Sequence, residues 1–390
     1  MKKILLSLVI LSFGFSLGIS EASLVYTTVN GDMGLVNYDE ISGDMTVYTR
    51  EYSTQNIAIV ASYLHNGNSK TLLVEPDDLT LDEGGSWDRF YLFNSVNLTT
   101  PENDDEDLRL TGISEATSIV TAVNGEQTSV FVTDNNGSIA EYRSGNNEPR
   151  NYFSYTDLTG YKASFLKAII AGERLFVLNK RFDENYNDYE ILRFDGLLER
   201  NRSFASLDLG SDVNDIAVTS SGLIFATYDD GIRQYKNSKT VEDILLFEDS
   251  RKATAIYATG KTTFYFVIED SDANESTLAY YDGTTPYEVY KASGVGTVKS
   301  QITYDSKNKL LGAIIGDGII IVDNSDTTTF TVSDFITSDK LGGVPVSIAF
   351  VGASTTTNKS SSSGSGGCDS VSLSLFGALL LALPLISRKK

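Results

Sequence analysis

The chain has 390 residues, which is long for one ordinary domain but within the range of a single all-β fold. Its formal net charge is −21. A nucleic-acid partner is therefore not expected, because such a protein normally carries a basic face. The single cysteine excludes an internal disulfide, so the stability of the folded part has to come from packing.

The N-terminal segment MKKILLSLVILSFGFSLGISEA has the layout of a secretory signal peptide. Two lysines follow the first residue, and a mostly apolar stretch comes next. The sequence Ser20-Glu21-Ala22 resembles a small-x-small cleavage site. We therefore expect residues 1–22 to be removed after Ala22 and the remaining chain to be exported. A retained anchor helix is the alternative.

Residues 23–353 alternate short apolar runs with polar turns and show no convincing amphipathic helix. A leading aliphatic strand recurs as QNIAIV, ATSIVTA, FLKAIIA, VNDIAV, ATAIYA, SQITY and VSIAF. The anchor residues of these strands are Ile57, Ile119, Ala168, Ile216, Ile256, Ile302 and Ile348. Successive anchors are about 48 residues apart, and about four strands fit into each step. This period predicts one four-stranded β-propeller blade per repeat.

The two ends of this region complement each other. Residues 23–49 contain three strands, SLVYTTV, GLVNYD and DMTVYT, with no leading strand before them. GVPVSIAF is a leading strand with no partners after it. We predict that Val346–Phe350 pairs antiparallel with Leu24–Val29, which closes the ring and leaves no exposed sheet edge. The result is an all-β propeller of seven blades, give or take one; a pair of β-sandwiches or another β-repeat is the alternative.

Acidic residues concentrate in four loops. In antiparallel four-stranded blades, the turns between second and third strands share a face with the connections between blades. The four loops fall on that face and read EPDDLTLDEGGSWD (residues 75–88), PENDDEDL (101–108), DENYNDYE (183–190) and EDSDANES (269–276). We therefore expect one face of the disc to be strongly acidic.

Two of these loops carry alternating oxygen side chains, a pattern that suits calcium. The candidate calcium ligands are Asp270, Asp272 and Asn274 in one loop and Asp183, Asn185 and Asn187 in the other. Neither loop has the glycine or the distal glutamate of an EF-hand. Solvated hairpin tips that hold no metal are the alternative.

Few other residues suggest catalysis or recognition. His65 is the only histidine and stands in an HNGN sequence typical of a surface turn, so zinc sites of the usual composition and Cys-His catalysis are excluded from the folded part. A hydrolase or lyase that uses a carboxylate pair stays open. Trp87 is a candidate for stacking on a sugar ring or anchoring a partner, with packing inside a strand as the alternative.

The C-terminal region has a linker and a tail. Residues 354–367 are rich in Ser, Thr and Gly and predict a flexible linker. Residues 368–390 contain the only cysteine, an apolar segment and a basic end. A helix over that apolar segment would be about 24 Å long, which is marginal for a hydrocarbon core of about 30 Å. The basic end would stay in the cytoplasm, so the folded part would lie outside.

The sequence Gly366-Gly367-Cys368-Asp369, with its preceding linker and following apolar and basic segments, resembles the Synerg-CTERM sorting signal. The resemblance covers only about the last 25 residues. It implies delivery to the cell surface or outer envelope, removal of the apolar part by an envelope sorting protease, and attachment through the region of Cys368. A thiol beside a bilayer is also a nucleophile that can be acylated. A plain tail anchor with an incidental cysteine is the alternative.

Together, these features predict an exported, surface-anchored β-propeller that binds an extracellular protein, peptide or glycan without catalysing a reaction. Variable loops on a closed scaffold suit such a role, although the fold alone does not fix function. A secreted carboxylate-dependent hydrolase or lyase and a purely structural envelope component are the alternatives. No cofactor other than calcium is suggested.

Overall fold

The computed structural model describes most of the region predicted to fold. The described residues are 21–39, 42–54, 57–65, 68–75, 88–95, 98, 101–102, 110–124, 127–143, 148–183, 186–196, 204–237, 240–248, 250–325, 329–352 and 355–356. All of them belong to a compact unit that spans Met1–Asn358. A second unit, Lys359–Lys390, lies outside the described residues.

The described chain is almost entirely β-structure. Its strands are β1 (Glu21–Thr28), β2 (Asp32–Asp39), β3 (Met45–Ser53), β4 (Ile59–His65), β5 (Asn68–Glu75), β6 (Arg89–Asn94), β7 (Ala116–Asn124), β8 (Gln127–Asp134), β9 (Ser138–Arg143), β10 (Asn151–Ser154), β11 (Lys162–Ala171), β12 (Arg174–Asp183), β13 (Tyr186–Asp195), β14 (Phe204–Gly210), β15 (Val213–Val218), β16 (Ile224–Tyr228), β17 (Gly231–Asn237), β18 (Thr240–Leu246), β19 (Arg251–Ala258), β20 (Phe264–Asp270), β21 (Glu275–Tyr281), β22 (Pro286–Ser293), β23 (Gln301–Asp305), β24 (Leu310–Ile315), β25 (Gly318–Asp323), β26 (Thr331–Val332), β27 (Ile336–Thr337), β28 (Pro345–Phe350) and β29 (Thr355–Thr356). Two short helices, α1 (Tyr155–Thr159) and α2 (Ser338–Leu341), lie between blades.

The described strands form seven sheets, one per blade, and all their pairings are antiparallel except that of the short β29 with the inner edge of β7. The short β27 pairs with β25. Leaving these two short strands aside, each blade has three or four strands. From the innermost strand outward, the blades are β28-β1-β2-β3, β4-β5-β6, β7-β8-β9-β10, β11-β12-β13-β14, β15-β16-β17-β18, β19-β20-β21-β22 and β23-β24-β25-β26. We number them blade 1 to blade 7 in this order. The innermost strands of successive blades contact each other in a closed cycle that returns from β23 to β28. The protein is therefore a seven-bladed β-propeller, as the repeat predicted.

Blade 1 is built from both ends of the folded region. Strand β28 pairs antiparallel with β1, with Leu24 opposite Phe350 and Tyr26 opposite Ile348. This pairing confirms the predicted ring closure. The strand β1 begins at Glu21, two residues before the predicted start of the domain, and β29 follows two residues after its predicted end.

The predicted leading strand of blade 2 was wrong in register. The sequence QNIAIV suggested an anchor at Ile57, but the strand begins at Ile59, and Ile57 lies before it with 46% of its surface exposed. The run from residue 57 to residue 64 is almost continuously apolar, so periodicity gave no signal for where the strand starts. Val60 takes the anchor position instead, as the hydrogen bonds described below show.

Within the described residues, seven hydrophobic clusters fill the seven interfaces between neighbouring blades. Alternation along each strand divides its side chains between two clusters. In β1, for example, Val25 packs towards blade 2, whereas Leu24 and Tyr26 pack towards blade 7. Because every sheet is buried on both faces, the strands read as nearly continuous apolar runs.

Polar side chains on the innermost strands connect neighbouring blades. In four of these strands a β-bulge falls just before the anchor residue. At four of the blade interfaces, with or without a bulge, the side chain of the residue directly before an anchor accepts the anchor amide of the next blade. These bonds are Val60 N to Ser347 Oγ (3.2 Å), Ala168 N to Ser118 Oγ (3.2 Å), Ile256 N to Asp215 Oδ2 (3.0 Å) and Ile348 N to Gln301 Oε1 (2.9 Å).

Candidate binding face and central channel

The two faces of the disc differ in what they carry. We call the face with the second-to-third strand turns and the blade-to-blade connections the hairpin face. These two sets of segments are joined by hydrogen bonds around the ring, for example Asn30 Nδ2 to Gly342 O (3.0 Å) and Thr297 N to Asp317 Oδ1 (2.8 Å). The opposite face is the seam face, where the amide of Val351 bonds to Ser23 O at 2.8 Å. The ends of the closed ring therefore lie opposite the hairpin face.

The described parts of the predicted acidic loops lie on the hairpin face. Three of them join β5 to β6, β12 to β13, and β20 to β21, and the fourth joins blade 2 to blade 3. Together the four loops carry 19 of the 52 acidic residues and no lysine or arginine. Only parts of these loops belong to the described residues.

The candidate calcium loop at residues 270–274 is a hairpin held by its own side chains. Asp270 Oδ1 accepts the amides of Asp272 (3.2 Å) and Ala273 (3.0 Å), and Oδ2 accepts Arg251 Nε (2.9 Å). The Ala273 amide and Arg251 hold the pKa of Asp270 below its ordinary value. Asn274 has a φ of 53°. Its Oδ1 accepts the amide of Val295, in the connection from β22 to β23, at 3.3 Å. Two of the three candidate ligands are thus already engaged, Asp270 within the turn and Asn274 with the connection that leads to blade 7.

The other candidate residues are placed only in part. Asp183 and Asn187 lie in the β12–β13 hairpin, where Asp183 is opposite Tyr186, but their side chains and all of Asn185 lie outside the described residues. Trp87, Gly366, Gly367 and Cys368 also lie outside them.

Two further predicted positions fall inside strands. His65 ends β4, and its backbone pairs with Asn68 across a hairpin on the seam face. Ala22 lies in β1 opposite Tyr38 and is 4% exposed. Cleavage after Ala22 would therefore remove the first two residues of this strand, and the predicted site stays a prediction. In the part of the chain that the structure describes, no group of three or more His, Cys, Asp or Glu side chains is arranged to hold a metal.

An exposed aromatic patch lies on the hairpin face of blade 4. Leu158 of α1, Tyr161 and Phe182 expose 58%, 47% and 39% of their surfaces. The guanidinium of Arg181 lies 5.8 Å from the centre of the Tyr161 ring, and Lys162 is paired with Phe182 across the sheet. We call Leu158, Tyr161, Arg181 and Phe182 the blade 4 patch. Aromatic rings beside cations suit a partner that presents flat apolar and acidic groups.

The innermost strands also bring two charged side chains of neighbouring blades into contact. Lys167 of β11 donates to both carboxylate oxygens of Asp215 on β15 at 2.8 Å and to Ile216 O at 3.1 Å. Asp215 is 3% exposed and also accepts the amide of Ile256 from blade 6. This ion pair therefore links blades 4, 5 and 6 beside the channel.

Sequence reasoning missed both the blade 4 patch and this ion pair. The residues of the pair are 48 positions apart, and each is the only charged residue in the middle of its strand. A signal was present, because Lys167 and Asp215 directly precede the anchors Ala168 and Ile216. Aligning the blades column by column would have placed the two charges side by side.

Comparisons with known proteins support the propeller fold but assign no function to the chain. No protein-family model matches the chain, and no curated protein matches it in sequence. The chain is similar to the crystal structure of a candidate 6-phosphogluconolactonase from Bacteroides fragilis, with a TM-score of 0.54, 12% identity, and coverage of 86% of this chain and 99% of that one. It is similar to a protein from Lactobacillus plantarum with a TM-score of 0.54, 9% identity, and coverage of 85% and 99%. At such identities the likeness concerns architecture alone.

Within the described residues, no helical segment has both the length and the hydropathy that crossing a bilayer requires.

Proposed function

We propose that this protein is an exported, cell-surface-anchored β-propeller that binds an extracellular protein, peptide or glycan through its hairpin face. The observation that carries the proposal is the position of the ring closure. Because β28 and β1 complete blade 1, the chain enters and leaves the ring on the seam face. A C-terminal tether would then hold the seam face towards the cell and leave the hairpin face free.

The hairpin face has features of a recognition surface. It carries the described parts of the acidic loops and the blade 4 patch with its exposed Tyr161 and Phe182. Exposed aromatic residues next to arginine are enriched among the residues that dominate binding energy at interfaces. The signal peptide and the Synerg-CTERM-like tail, with Gly366, Gly367 and Cys368, support export and anchoring through an envelope sorting protease. These two elements belong to the proposal on sequence grounds.

A paired substitution tests the binding part of the proposal. The double variant Tyr161→Ser/Phe182→Ser should lose binding to isolated envelope material or to a glycan array. Tyr287→Ser is the matched control, because Tyr287 is also 47% exposed but lies on the outermost strand of blade 6, towards the seam face. Equal binding by both variants and the wild type would show that the blade 4 patch is not the binding surface.

Mass spectrometry of the mature protein from its native cells tests the anchoring part. The proposal expects a new N-terminus near Ala22, loss of the apolar tail, and an added group at or near Cys368. An intact C-terminus with an unmodified thiol would contradict anchoring through the cysteine. Labelling of intact cells with an impermeant reagent then reports which lysines face outward.

A further inference from the structure

The β12–β13 hairpin of blade 4 rises above its neighbours on the hairpin face. Hydrogen bonds between the innermost strands, described above, hold blades 3, 4 and 5 at one level. Counted from the residue opposite the anchor, β12 continues for six residues, to Asp183. In blades 3 and 5 the equivalent strands continue for two residues, to Asp134 and Tyr228. The excess of four residues corresponds to about 13 Å of strand, so the end of this hairpin stands clear of both neighbours.

Alternation along the strands divides the side chains of this raised end between its two faces. Leu178 of β12 packs towards blade 5, so Lys180 and Phe182, further along the same strand, lie on that face as well. Lys162 is opposite Phe182, and Tyr189 is opposite Lys180. Residues directly opposite each other in antiparallel strands share a face. We call Lys162, Lys180, Phe182 and Tyr189 the blade 4 wall.

The described carboxylates of the raised hairpin lie on its other face, towards blade 3. Asp188 is opposite Arg181 and forms an ion pair with it at 3.3 Å. Glu190 accepts Tyr155 OH at 2.7 Å and Asn179 Nδ2 at 2.9 Å. The face that carries the blade 4 wall therefore has two ammonium groups and, among the described residues, no carboxylate.

Neither ammonium group of the blade 4 wall has an anionic partner within the described part of the chain. Lys180 Nζ lies 5.2 Å from the centre of the Phe182 ring and 5.6 Å from the centre of the Tyr189 ring. Lys162 is exposed, and no hydrogen bond or ion pair reaches either lysine. Aromatic rings attract an ammonium group but leave its N–H donors free to bind an anion.

The foot of the blade 4 wall offers hydrogen-bond acceptors. Gly210, the last residue of β14, is opposite Tyr189, and the exposed Asp212 follows two residues later. Asp229, also exposed, lies in the next blade and accepts Asn214 Nδ2 at 2.9 Å. Because a carboxylate has about four acceptor positions, Asp212 and Asp229 can accept further hydrogen bonds from hydroxyl groups.

The geometry points to a sugar that carries a carboxylate, such as a uronic acid residue of a glycan, as the ligand of the blade 4 wall. The apolar face of the sugar ring packs on Phe182, the carboxylate accepts from Lys180, and hydroxyl groups donate to Asp212. A carboxylate attached directly to the sugar ring holds the two groups as close together as the ammonium and the rings of the wall. This assignment rests on the proposed function, because it names the ligand class of the hairpin face.

An acidic peptide is the other ligand that a cationic and aromatic surface suits. Its carboxylates lie at the ends of flexible side chains, and it offers few hydroxyl donors to Asp212 and Asp229. The sugar carboxylate therefore matches the blade 4 wall and its foot more completely than the peptide does.

Calorimetric titration of the full chain tests the assignment with three probes: tetragalacturonate, its carboxyl-reduced counterpart and a hexaglutamate peptide. Tetragalacturonate should bind with a Kd below about 10 mM, and the other two probes should bind about tenfold more weakly or not at all. The reduced probe keeps the sugar rings and hydroxyl groups, so it isolates the contribution of the carboxylates. Absence of tetragalacturonate binding, equal binding of the reduced probe, or tighter binding of the peptide would overturn the assignment.

Lysine substitutions test which residues hold the carboxylate. Lys180→Gln should bind tetragalacturonate about tenfold more weakly, because one charge-assisted hydrogen bond is lost. Lys162→Gln, at an exposed position, should also weaken binding and serves if Lys180→Gln fails to fold. Lys261→Gln is the matched control, because Lys261 is an exposed lysine in the β19–β20 turn on the seam face. Equal affinities of the Lys180, Lys162 and Lys261 variants for tetragalacturonate would overturn the assignment.

The proposed function and the sugar assignment fail in different ways. Suppose that Tyr161→Ser/Phe182→Ser loses binding to envelope material while the wild type binds tetragalacturonate and its reduced counterpart equally. The hairpin face then remains the binding surface, and the assignment of a sugar carboxylate is overturned. If instead Lys180→Gln weakens tetragalacturonate binding but the double variant keeps its binding to envelope material, the sugar site stands and the blade 4 patch is not the envelope-binding surface.

Discussion

Asp134 is a buried carboxyl group whose ionisation should destabilise the fold. It ends β8 on the hairpin face, is 1% exposed, and its Oδ1 accepts the amides of Asn136 (3.0 Å) and Ser138 (2.7 Å). Burial raises its pKa from 3.8 to about 7, the amides of Ser138 and Asn136 oppose this, and the charge of Asp88 adds to it. The substitution Asp134→Asn keeps a carbonyl acceptor for the turn but removes the ionisable proton.

The direction of the pH dependence follows from proton linkage. Between pH 4 and pH 7 the folded state holds a proton on Asp134 that the unfolded chain has released, so the free energy of unfolding falls as pH rises. The pKa of Asp134 is about 3 higher in the folded state than its ordinary value. Because each pKa unit corresponds to roughly 1.4 kcal/mol, ionisation of Asp134 lowers the free energy of unfolding by about 4 kcal/mol above pH 7. Below pH 4 this penalty is absent.

Urea denaturation at pH 4 to 8 measures the effect. The wild type should lose stability relative to Asp134→Asn as pH rises, by up to about 4 kcal/mol. An unsatisfied amide in the variant would cost about 1–3 kcal/mol at every pH, so the test compares the change with pH rather than the absolute stability. Asp272→Asn, at an exposed position on the same face, is the control. Parallel pH profiles for wild type and Asp134→Asn would refute the reasoning.

Three further outcomes are expected. Ser118→Ala should lower the free energy of unfolding by about 1–3 kcal/mol, because the amide of Ala168 loses its acceptor across the blade interface. Tyr26→Phe should cost about 1 kcal/mol, because its hydroxyl donates to Leu341 O at 3.2 Å and so ties blade 1 to the connection from blade 7. Calcium at several millimolar should leave the melting temperature unchanged, because Asp270 is already engaged by two amides and Arg251.

Each of these outcomes has a direct check by thermal or urea denaturation. Ser42→Ala, in an exposed turn of blade 1, is the control for Ser118→Ala, and an equal effect would mean that the interblade bond contributes nothing. Unchanged stability of Tyr26→Phe would show that the bond from its hydroxyl to Leu341 O contributes nothing to the free energy of unfolding. A calcium-dependent rise in melting temperature that Asp270→Asn abolishes would restore the calcium site.

Much of the fold was readable from the sequence, because each blade repeats a buried leading strand. The orphan strand before Phe350 and the three unpartnered strands after Ala22 were enough to predict the ring closure. The start of the innermost strand of blade 2 could not be predicted from the sequence. Its apolar run has no polar residue to mark the start of the strand, and only the bond from Val60 to Ser347 shows which residue takes the anchor position.

The candidate site was predicted less completely. The acidic loops follow from composition and strand order, so their common face was predictable. The ion pair between Lys167 and Asp215 was not, since the two residues come from different blades and no local motif links them. The same holds for Tyr161 and Phe182, which are joined only by the pairing of β11 with β12 and by the connection that precedes it.

The most direct test of the account is a disulfide across the seam. Ser23 and Val351 share a backbone hydrogen bond at 2.8 Å, and such paired residues have Cα atoms about 5.5 Å apart, within the range a disulfide spans. The variant Ser23→Cys/Val351→Cys in a Cys368→Ser chain should oxidise to a single linked peptide, detected by mass spectrometry. Its melting temperature should rise, since the bond closes a long loop. A control pair, Ser23→Cys/Ser221→Cys, should stay reduced. Free thiols in the folded seam variant would contradict the closed ring.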